Sequence, residues 1–197
     1  MLQSIQMRNL LSFGPESDAI PLDRLNVVIG PNASGKSNLL EAIALLQSAP
    51  SQVSQPIREG GGVRDWLWKG AEGIPVATIE VVIDVRKRDG RPGQPLRYRI
   101  AFTESGKRFE IVDERIENAE PYPGHDDPYF YYRYQNNQPV LNVKGTGERM
   151  LRREDIDPER SILAQRRDPD SYPEITCLAE TLSDIRIYRD WALGRYT

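Results

Sequence analysis

The chain has 197 residues, of which 39% are hydrophobic and 28% are charged, so it is long enough for one folded core with a polar surface. Its 26 lysines and arginines against 29 aspartates and glutamates give a formal net charge of −3, which excludes a globally basic nucleic-acid-binding protein. The single cysteine, Cys177, excludes an internal disulfide framework and favours a cytoplasmic location. No apolar stretch approaches the roughly 20 residues that span a bilayer, and the N-terminus does not resemble a signal peptide, so we expect no membrane association.

The first predicted elements are strands, and a helix follows them. Residues 2–8 alternate between apolar and polar side chains, which predicts a strand, and residues 19–22 are predicted as a second, short strand. Residues 25–29 are a nearly continuous apolar run, here called the apolar run, which is typical of a strand buried on both faces. A 3.6-residue apolar period then predicts a helix from residue 37 to about 48. Residues 50–75 are rich in glycine, proline and serine and are predicted as a loop.

From residue 76 the apolar period changes to two, which predicts an antiparallel meander with one buried and one wet face. The predicted strands cover residues 77–85, 97–103, the stretch beginning at 109, 129–134 and 139–143. A helix is expected at 172–183, followed by a terminal strand at 184–189. We therefore predict an α/β fold with α+β character: a nucleotide-binding core (1–75) with a mixed sheet, an antiparallel β-rich arm (76–160), and a final segment (161–197).

One motif carries specific chemistry. Residues 30–37 read Gly-Pro-Asn-Ala-Ser-Gly-Lys-Ser, which matches the phosphate-loop pattern G-x-x-x-x-G-K-[ST] without deviation. In such a loop, backbone N–H groups and the N-terminus of the following helix face a phosphate, the lysine neutralises it, and the serine hydroxyl coordinates Mg²⁺. The predicted ligands are therefore ATP and Mg²⁺. The expected contacts are Lys36 to phosphate, Ser37 to metal, and the backbone or side chains of Gly30, Asn32, Ala33, Ser34, Gly35 and Asn38.

The stretch around this loop resembles the ATPase heads of RecF, of SMC proteins and of predicted ATPases related to the OLD family. In those families the first strand commonly ends in a pattern like N-F-[KR]-S-F, and residues 9–13 here read Asn-Leu-Leu-Ser-Phe. The resemblance implies that Ser12 and Phe13 lie at the nucleotide. The basic residue of the family pattern is replaced by Leu11, so no positive charge is carried over to that position.

The same resemblance implies a glutamine at the tip of a strand, which senses Mg²⁺ and the attacking water. Gln165, in the sequence Ser-Ile-Leu-Ala-Gln at 161–165, occupies a similar place and is our candidate for a catalytic and metal-contacting residue beside Lys36. Its alternative interpretation is a solvated loop glutamine. The resemblance also implies ATP-driven homodimerisation, with DNA repair or phage defence as the setting and DNA as a partner.

Two parts of such a head have no match in this sequence. Hydrolysis needs a carboxylate after a second buried strand, and Asp84 is a poor candidate because Val85 follows it and the surrounding alternation turns Asp84 to water. No LSGGQ-like signature is present. The resemblance places both parts in a C-terminal lobe, so we expect this chain to be a first lobe that is inactive alone and needs that lobe as a partner.

Two other functional classes are alternatives to an ATPase head. A kinase or GTPase would predict a parallel sheet throughout and a guanine-reading N-K-x-D motif, and both are at odds with the sequence. A non-catalytic protein- or DNA-binding module with a vestigial loop remains the principal alternative.

Four smaller features have a structural interpretation that we prefer. The basic residues between 86 and 108 are predicted as a solvated hairpin, although a contact to duplex DNA is the alternative. The aromatic sequence at 129–134 is predicted as a strand with rings on both faces. His125 is expected in an exposed loop, and Cys177 in the core.

Overall fold

The computed structural model describes residues 1–85, 90, 93–135, 138–143 and 145–189. Its eight strands form one sheet in the order β2-β1-β3-β4-β5-β6-β7-β8, and each pairing between neighbours is antiparallel. The strands are β1 (Leu2–Arg8), β2 (Ile20–Pro21), β3 (Ala77–Ile83), β4 (Leu96–Ser105), β5 (Arg108–Asn118), β6 (Phe130–Gln135), β7 (Gln138–Val143) and β8 (Gly147–Met150). From β3 onward, each strand pairs with its neighbour in the chain, as expected of a meander.

The helices are α1 (Lys36–Ser48), α2 (Ser54–Glu59), α3 (Val63–Trp66), α4 (Ile162–Gln165) and α5 (Pro173–Ser183), with a 3-10 turn at Arg153–Asp155. Helix α1 contacts α2 and α5, and α4 contacts α5. The long helices α1 and α5 bury apolar stripes, such as Leu45 and Leu46 of α1 and Leu178 and Leu182 of α5. None of the helices in the described ranges is both long and apolar enough to cross a bilayer.

The core lies on one face of the sheet, where the two-residue period places the apolar side chains. On β3 and β4 the residues Ile79, Val81, Tyr98, Ile100 and Phe102 are all fully or almost fully buried. Burial of a large apolar side chain contributes about 1.5–3 kcal/mol, so these strands supply a large part of the fold's stability. The confirmed alternation shows that the aromatic rings at 98 and 102 belong to the core.

The opposite face carries paired charges. Arg97 contacts Glu80 and Glu117, and Arg99 contacts Glu80 and Asp113. These arginines already have carboxylate partners, which favours the solvated-hairpin interpretation of this region over a DNA contact. The basic residues at 86–88 and 91 lie outside the described residues.

The apolar run at residues 25–29 contradicts the prediction. It is not a strand, and Leu25, Val27, Val28 and Ile29 are exposed, with Ile29 at 86%. The apolar, largely β-branched composition favours a strand, but a strand also needs partners for its backbone N–H and C=O groups. Within the described residues no strand lies beside the run. The sheet is consequently antiparallel rather than mixed, whereas the α/β class with an antiparallel β-rich arm is confirmed.

Other local predictions differ from the structure at the ends of the arm. The predicted loop at 50–75 contains the short helices α2 and α3, and strand β8 was not predicted. The predicted terminal strand is wrong for 184–189, which has no regular structure, and 190–197 lies outside the described residues. The predicted boundary between residues 75 and 76 does not separate two sheets, because β1 on one side of it pairs with β3 on the other.

Candidate phosphate-binding site

The loop at residues 30–37 joins the apolar run to helix α1, and residues 30–34 are fully on the surface. Gly35, the residue before the helix, has φ of 90°, and Ala33 has φ of 63°. Glycine adopts the left-handed region without steric cost, which explains a glycine at 35. A Cβ at Gly35 would also lie 2.9 Å from the Ser12 hydroxyl oxygen, so the site requires glycine for space as well as for conformation.

Helix α1 begins without a cap. Within the described residues, the N–H groups of Lys36, Ser37 and Asn38 have no acceptor, and the first bond of the helix runs from Leu39 N–H to Gly35 O at 3.0 Å. Unpaired N–H groups at a helix N-terminus carry a partial positive charge and form a natural anion site. These three donors therefore fit a phosphate group.

The Lys36 ammonium group lies over its own loop. Its Nζ donates to the carbonyl oxygens of Gly30 at 2.8 Å and Pro31 at 2.7 Å, and to the Ser34 hydroxyl at 3.2 Å. No ion pair joins it to a carboxylate within the described part of the chain. The positive charge is thus oriented by neutral oxygens but is not neutralised, which is favourable for an incoming anion.

A tight turn holds Ser12 and Phe13 against this loop. Leu10 and Phe13 exchange backbone hydrogen bonds, and the turn is tied to α3 by a bond from Leu11 N–H to Trp66 O at 2.7 Å. The Asn38 side-chain amide donates to the Ser12 hydroxyl at 2.8 Å. The structure therefore brings Ser12, Phe13 and Asn38 together beside Gly35.

The same turn is strained. Leu11 has φ of 51°, a conformation that costs most non-glycine residues about 1–2 kcal/mol, and Asn9 has φ of 52°, which asparagine adopts more readily. Strain of this kind persists where the surroundings impose it, and it often marks functional sites. The Leu11 position, where the family pattern has a basic residue, is fixed by this backbone and its bond to α3.

Ser37 is exposed on the first turn of α1, where a loop serine would meet a metal. Its hydroxyl suits Mg²⁺, which prefers oxygen ligands and usually takes one or two from protein and the rest from water and phosphate. Within the described residues no group of three His, Cys, Asp or Glu side chains forms a metal site of its own. The Ser37 hydroxyl is therefore the group of this loop that fits a Mg²⁺ ion bound together with a phosphate.

Gln165 lies away from the loop's hydrogen-bond network. It ends the short helix α4 and not a strand, which corrects the local structure predicted for it. Its side chain accepts from the Asp157 N–H at 2.9 Å and donates to the carbonyls of Asp157 at 3.1 Å and Arg160 at 2.7 Å. In this conformation the amide closes its own turn, so a role at the metal stays a prediction.

The remaining candidates are placed as follows. Asp84 accepts a hydrogen bond from the Gln3 side chain at 2.7 Å, at the end of β3. His125 is exposed in a loop, and Cys177 is buried in α5, as predicted. Tyr132 and Tyr134 are buried while Phe130 packs under Arg133, so the aromatic strand does have rings on both faces.

The loop at residues 30–37 lies outside the cleft beside α1. A cleft of about 820 Å³ runs along α1 on the side of Glu41 and Ser48 and reaches Trp66 and Arg189, and none of residues 30–37 lines it. Residues 30–34 of the loop are instead exposed, and within the described residues no strand pairs with the apolar run before it. A closed nucleotide pocket would need further protein groups at this position.

Sequence reasoning missed Glu114, a buried carboxylate on the core face of β5. A strict two-residue period from Phe109 and Ile111 would place Asp113 inside and Glu114 outside. The pairing shifts between Ala101 and Phe102 of β4, which inserts one extra residue into β5 and reverses its faces. The available signal was the odd spacing of five positions between Ile111 and Ile116, which an unbroken two-residue period does not allow.

One comparison, with a protein-family model, agrees with a nucleotide-binding loop. A family model described as "AAA domain, putative AbiEii toxin, Type IV TA system" matches residues 25–176. A solved structure from work on ATP-driven dimerization and DNA-stimulated activation of SMC ATPases is similar at 17% identity over 55% of this chain and 70% of that chain, with a TM-score of 0.39. The comparison with curated proteins finds no match. Because the family model covers well over half of the sequence and includes the whole loop, the chain belongs to this AAA family of P-loop ATPases.

Proposed function

We propose that the chain binds ATP with Mg²⁺ on residues 30–37, as the nucleotide-binding lobe of an ABC-type, RecF/SMC-like ATPase head. The observation that carries this proposal is the uncapped N-terminus of α1. There, within the described residues, three N–H groups without acceptors adjoin an ammonium group that has no carboxylate partner. Both features favour a polyanion, and they meet at the position where the sequence motif requires a triphosphate.

The loop residues have distinct roles in this proposal. The backbone of Gly30, Asn32, Ala33, Ser34 and Gly35 surrounds the phosphates. Lys36 balances their charge, and Ser37 offers its hydroxyl to the metal. The Asn38 amide and Ser12 hydroxyl hold the neighbouring turn, with Phe13, at the edge of the site. The bound Mg²⁺ supplies Lewis-acid neutralisation of the phosphate oxygens.

We propose that hydrolysis requires a further lobe beside the apolar run. Residues 25–29 expose strand-forming side chains next to the loop, and within the described residues their backbone pairs with no strand, which is an arrangement that a neighbouring strand would complete. That lobe would supply the carboxylate and the signature segment that the resemblance implies. Lys36 and Gln165 are the catalytic residues proposed for this chain, with Gln165 leaving its present turn to reach the metal.

The larger assembly is proposed by analogy with the families that the loop resembles. ATP would lie between two heads, so that binding drives homodimerisation and hydrolysis releases it. DNA repair or phage defence is the proposed setting, and DNA is a proposed partner, in a soluble cytoplasmic protein.

Isothermal titration calorimetry with ATP and Mg²⁺ tests the central proposal. We expect binding by the wild type and at least tenfold weaker binding by Lys36→Ala, because each charge-assisted contact to phosphate contributes about 1.5–3 kcal/mol. Lys69→Ala is the matched control, since Lys69 is an exposed lysine paired with Asp65 and remote from the loop in sequence. Equal binding by all three proteins would refute the proposed site.

A second candidate function is a non-catalytic binding module with a vestigial loop. The observation that favours it is the position of Lys36, whose ammonium group is bonded to the loop's own oxygens. This candidate predicts no heat of ATP binding for the wild type. The same titration therefore decides between the two functions.

A further inference from the structure

Glu114 is a buried carboxylate in a place where carboxylates are costly. It is 1% exposed, it lies on the core face of β5, and its strand partners are Ile100 on β4 and Tyr134 on β6. No ion pair joins it to a lysine or arginine within the described residues. A buried charge without a cation needs several hydrogen-bond donors to be tolerated.

The donors come chiefly from the start of α4. The Ser161 hydroxyl donates to Oε1 of Glu114 at 2.5 Å, and the Ile162 N–H donates to Oε2 at 2.9 Å. The Tyr98 hydroxyl on β4 also donates to Oε1, at 2.8 Å. Ser161 in turn accepts from the Leu163 N–H at 3.0 Å, so one carboxylate organises the whole first turn of this helix.

The helix that Glu114 holds is the one that ends in Gln165. Residues 161–167, here called the clamp segment, have a second attachment through Arg167. Its guanidinium group donates to the carbonyl oxygen of Leu163 at 3.0 Å and to that of Pro50, just after α1. The clamp segment therefore lies between the sheet, through Glu114, and the C-terminal end of the helix that begins at the phosphate loop.

We propose that Glu114 is a positioning residue, whose side-chain carboxyl group holds the clamp segment on the sheet and so sets where Gln165 lies relative to α1. The role of Gln165 rests on the proposed function, whereas the attachment itself does not involve nucleotide. The side chain satisfies donors on two elements at once, which an apolar residue of the same size would leave unpaired in the core.

We expect the attachment of the clamp segment to Glu114 to depend on pH, and this dependence makes it measurable. Burial raises the pKa of Glu114 from 4.5 to about 7, opposed by the hydrogen bonds from Ser161, Ile162 and Tyr98, and the neighbouring Asp113 raises it further. The other titratable groups around it are Tyr98, whose pKa burial also raises, and Tyr132 and Tyr134 on β6, with Arg166 acting near Tyr132. The raised pKa values of Tyr98 and Tyr132 keep these two side chains neutral, whereas the pKa of Glu114 lies near neutral pH.

The sign of this pH dependence follows from the fact that water hydrates the Glu114 carboxyl group in the open state and not in the closed state. Opening of the clamp segment exposes Glu114 to water and returns its pKa toward 4.5. The closed state is therefore favoured most below pH 4.5, and the advantage is lost as the pH rises to about 7. The difference between a pKa of 4.5 and one of about 7 changes the equilibrium constant for opening by roughly two orders of magnitude, if opening exposes the carboxyl group fully.

Amide hydrogen exchange followed by NMR, without nucleotide, tests the attachment. After correction for the intrinsic exchange rate, we expect the protection of the clamp-segment amides to fall at least tenfold between pH 5 and pH 8. Glu114→Gln, which keeps an acceptor for Ile162 but cannot ionise, should remove this pH dependence. Tyr98→Phe is the matched control: it removes the donor on β4 and should leave the pH dependence in place.

Protection that does not change with pH in the wild type, or an unchanged pH dependence in Glu114→Gln, would overturn the proposal. Should Glu114→Gln fail to fold, the wild type alone suffices, because the Glu114 carboxyl carbon and the Ile162 amide must titrate at the same pH. Addition of ATP and Mg²⁺ forms a separate arm. A wild type that binds no nucleotide refutes the proposed function and leaves the attachment intact, whereas binding without a titrating Ile162 amide refutes the attachment alone.

Discussion

The meander β3–β7 and the stretch from residue 23 to residue 34 differ in how their polar and apolar groups are satisfied. Within the meander each strand pairs with the strand before it, and its alternating side chains fill a core. Every residue of the 23–34 stretch is exposed, although it contains the most strand-like apolar run in the sequence. The comparison shows that a local pattern produces a buried strand only where neighbouring strands are available.

The difference has a functional meaning. The meander is complete by itself because antiparallel strands that follow each other can pair through short turns. A phosphate loop after a buried strand needs partners that are distant in sequence. The exposed loop and the exposed apolar run therefore belong together, and four predictions examine the contrast between this region and the folded body.

The largest expected effect is a difference in stability between alanine variants of two isoleucines, one in the meander and one in the apolar run. Ile79→Ala removes a fully buried side chain from β3 and should lower the free energy of unfolding by about 2–5 kcal/mol. Ile29→Ala truncates a side chain that is 86% exposed and should change it by less than about 0.5 kcal/mol. Urea unfolding followed by circular dichroism measures both. A large loss of stability in Ile29→Ala would mean that the apolar run is packed in the isolated chain.

The next prediction concerns stability against pH within the folded body. Because the pKa of Glu114 is raised from 4.5 to about 7, the folded state binds its proton more tightly than the unfolded state does. Stability from this group is present below pH 4.5 and is lost as the pH rises to about 7, by up to about 3 kcal/mol. Urea unfolding of the wild type and of Glu114→Gln between pH 4.5 and pH 8 gives this contribution as the difference between the two curves. A difference that grows in the opposite direction would contradict the assignment.

A smaller effect is expected from glycine substitutions at two similar backbone positions. Gly35 and Gly124 have φ of 90° and 84°, so alanine at either position pays about 1–2 kcal/mol for the left-handed conformation. A Cβ at Gly35 also approaches the Ser12 hydroxyl, which must move and lose its bond from Asn38, whereas nothing lies within 4 Å of a Cβ at Gly124. Gly35→Ala should therefore be the less stable variant by about 1 kcal/mol in thermal unfolding.

The double variant Ser12→Ala with Gly35→Ala supplies the control for that comparison. Removing the hydroxyl removes the close approach, so the second substitution should cost less in this background than in the wild type. Equal costs in the two backgrounds would show that Ser12 and Gly35 do not interact.

The parts of the fold that the sequence predicts are those determined by neighbours in the chain. The alternation from Ala77 to Phe102 sets both the strands and their buried faces, and the 3.6-residue period gives α1 almost to its ends. The loop at 30–37 was recognisable because its function requires particular residues at fixed spacing. Its contacts with Ser12 and Phe13 follow from the resemblance, and the structure places these residues beside Gly35.

The parts that could not be predicted depend on distant partners or on one irregular residue. The apolar run is strand-like by composition, and only the arrangement of the whole sheet decides that it stays unpaired. The bulge in β5 reverses the faces of the strand after Ile111, so that Glu114 and not Asp113 enters the core. The side-chain amide of Gln165 is occupied by Asp157 and Arg160, which no spacing in the sequence indicates.

The smallest expected effect is on the stability of the loop lysine variant. Lys36→Ala removes three hydrogen bonds to neutral oxygens on an exposed loop, and these should contribute less than about 1 kcal/mol in total because water replaces them. Lys69→Ala, which removes an exposed pair with Asp65, should have a similarly small effect. Thermal unfolding without nucleotide measures both variants. If Lys36→Ala loses more than about 2 kcal/mol, the lysine stabilises the loop itself and the binding-module function is favoured. If both losses are small and ATP with Mg²⁺ stabilises only the wild type and Lys69→Ala, the charge of Lys36 serves the nucleotide and not the fold.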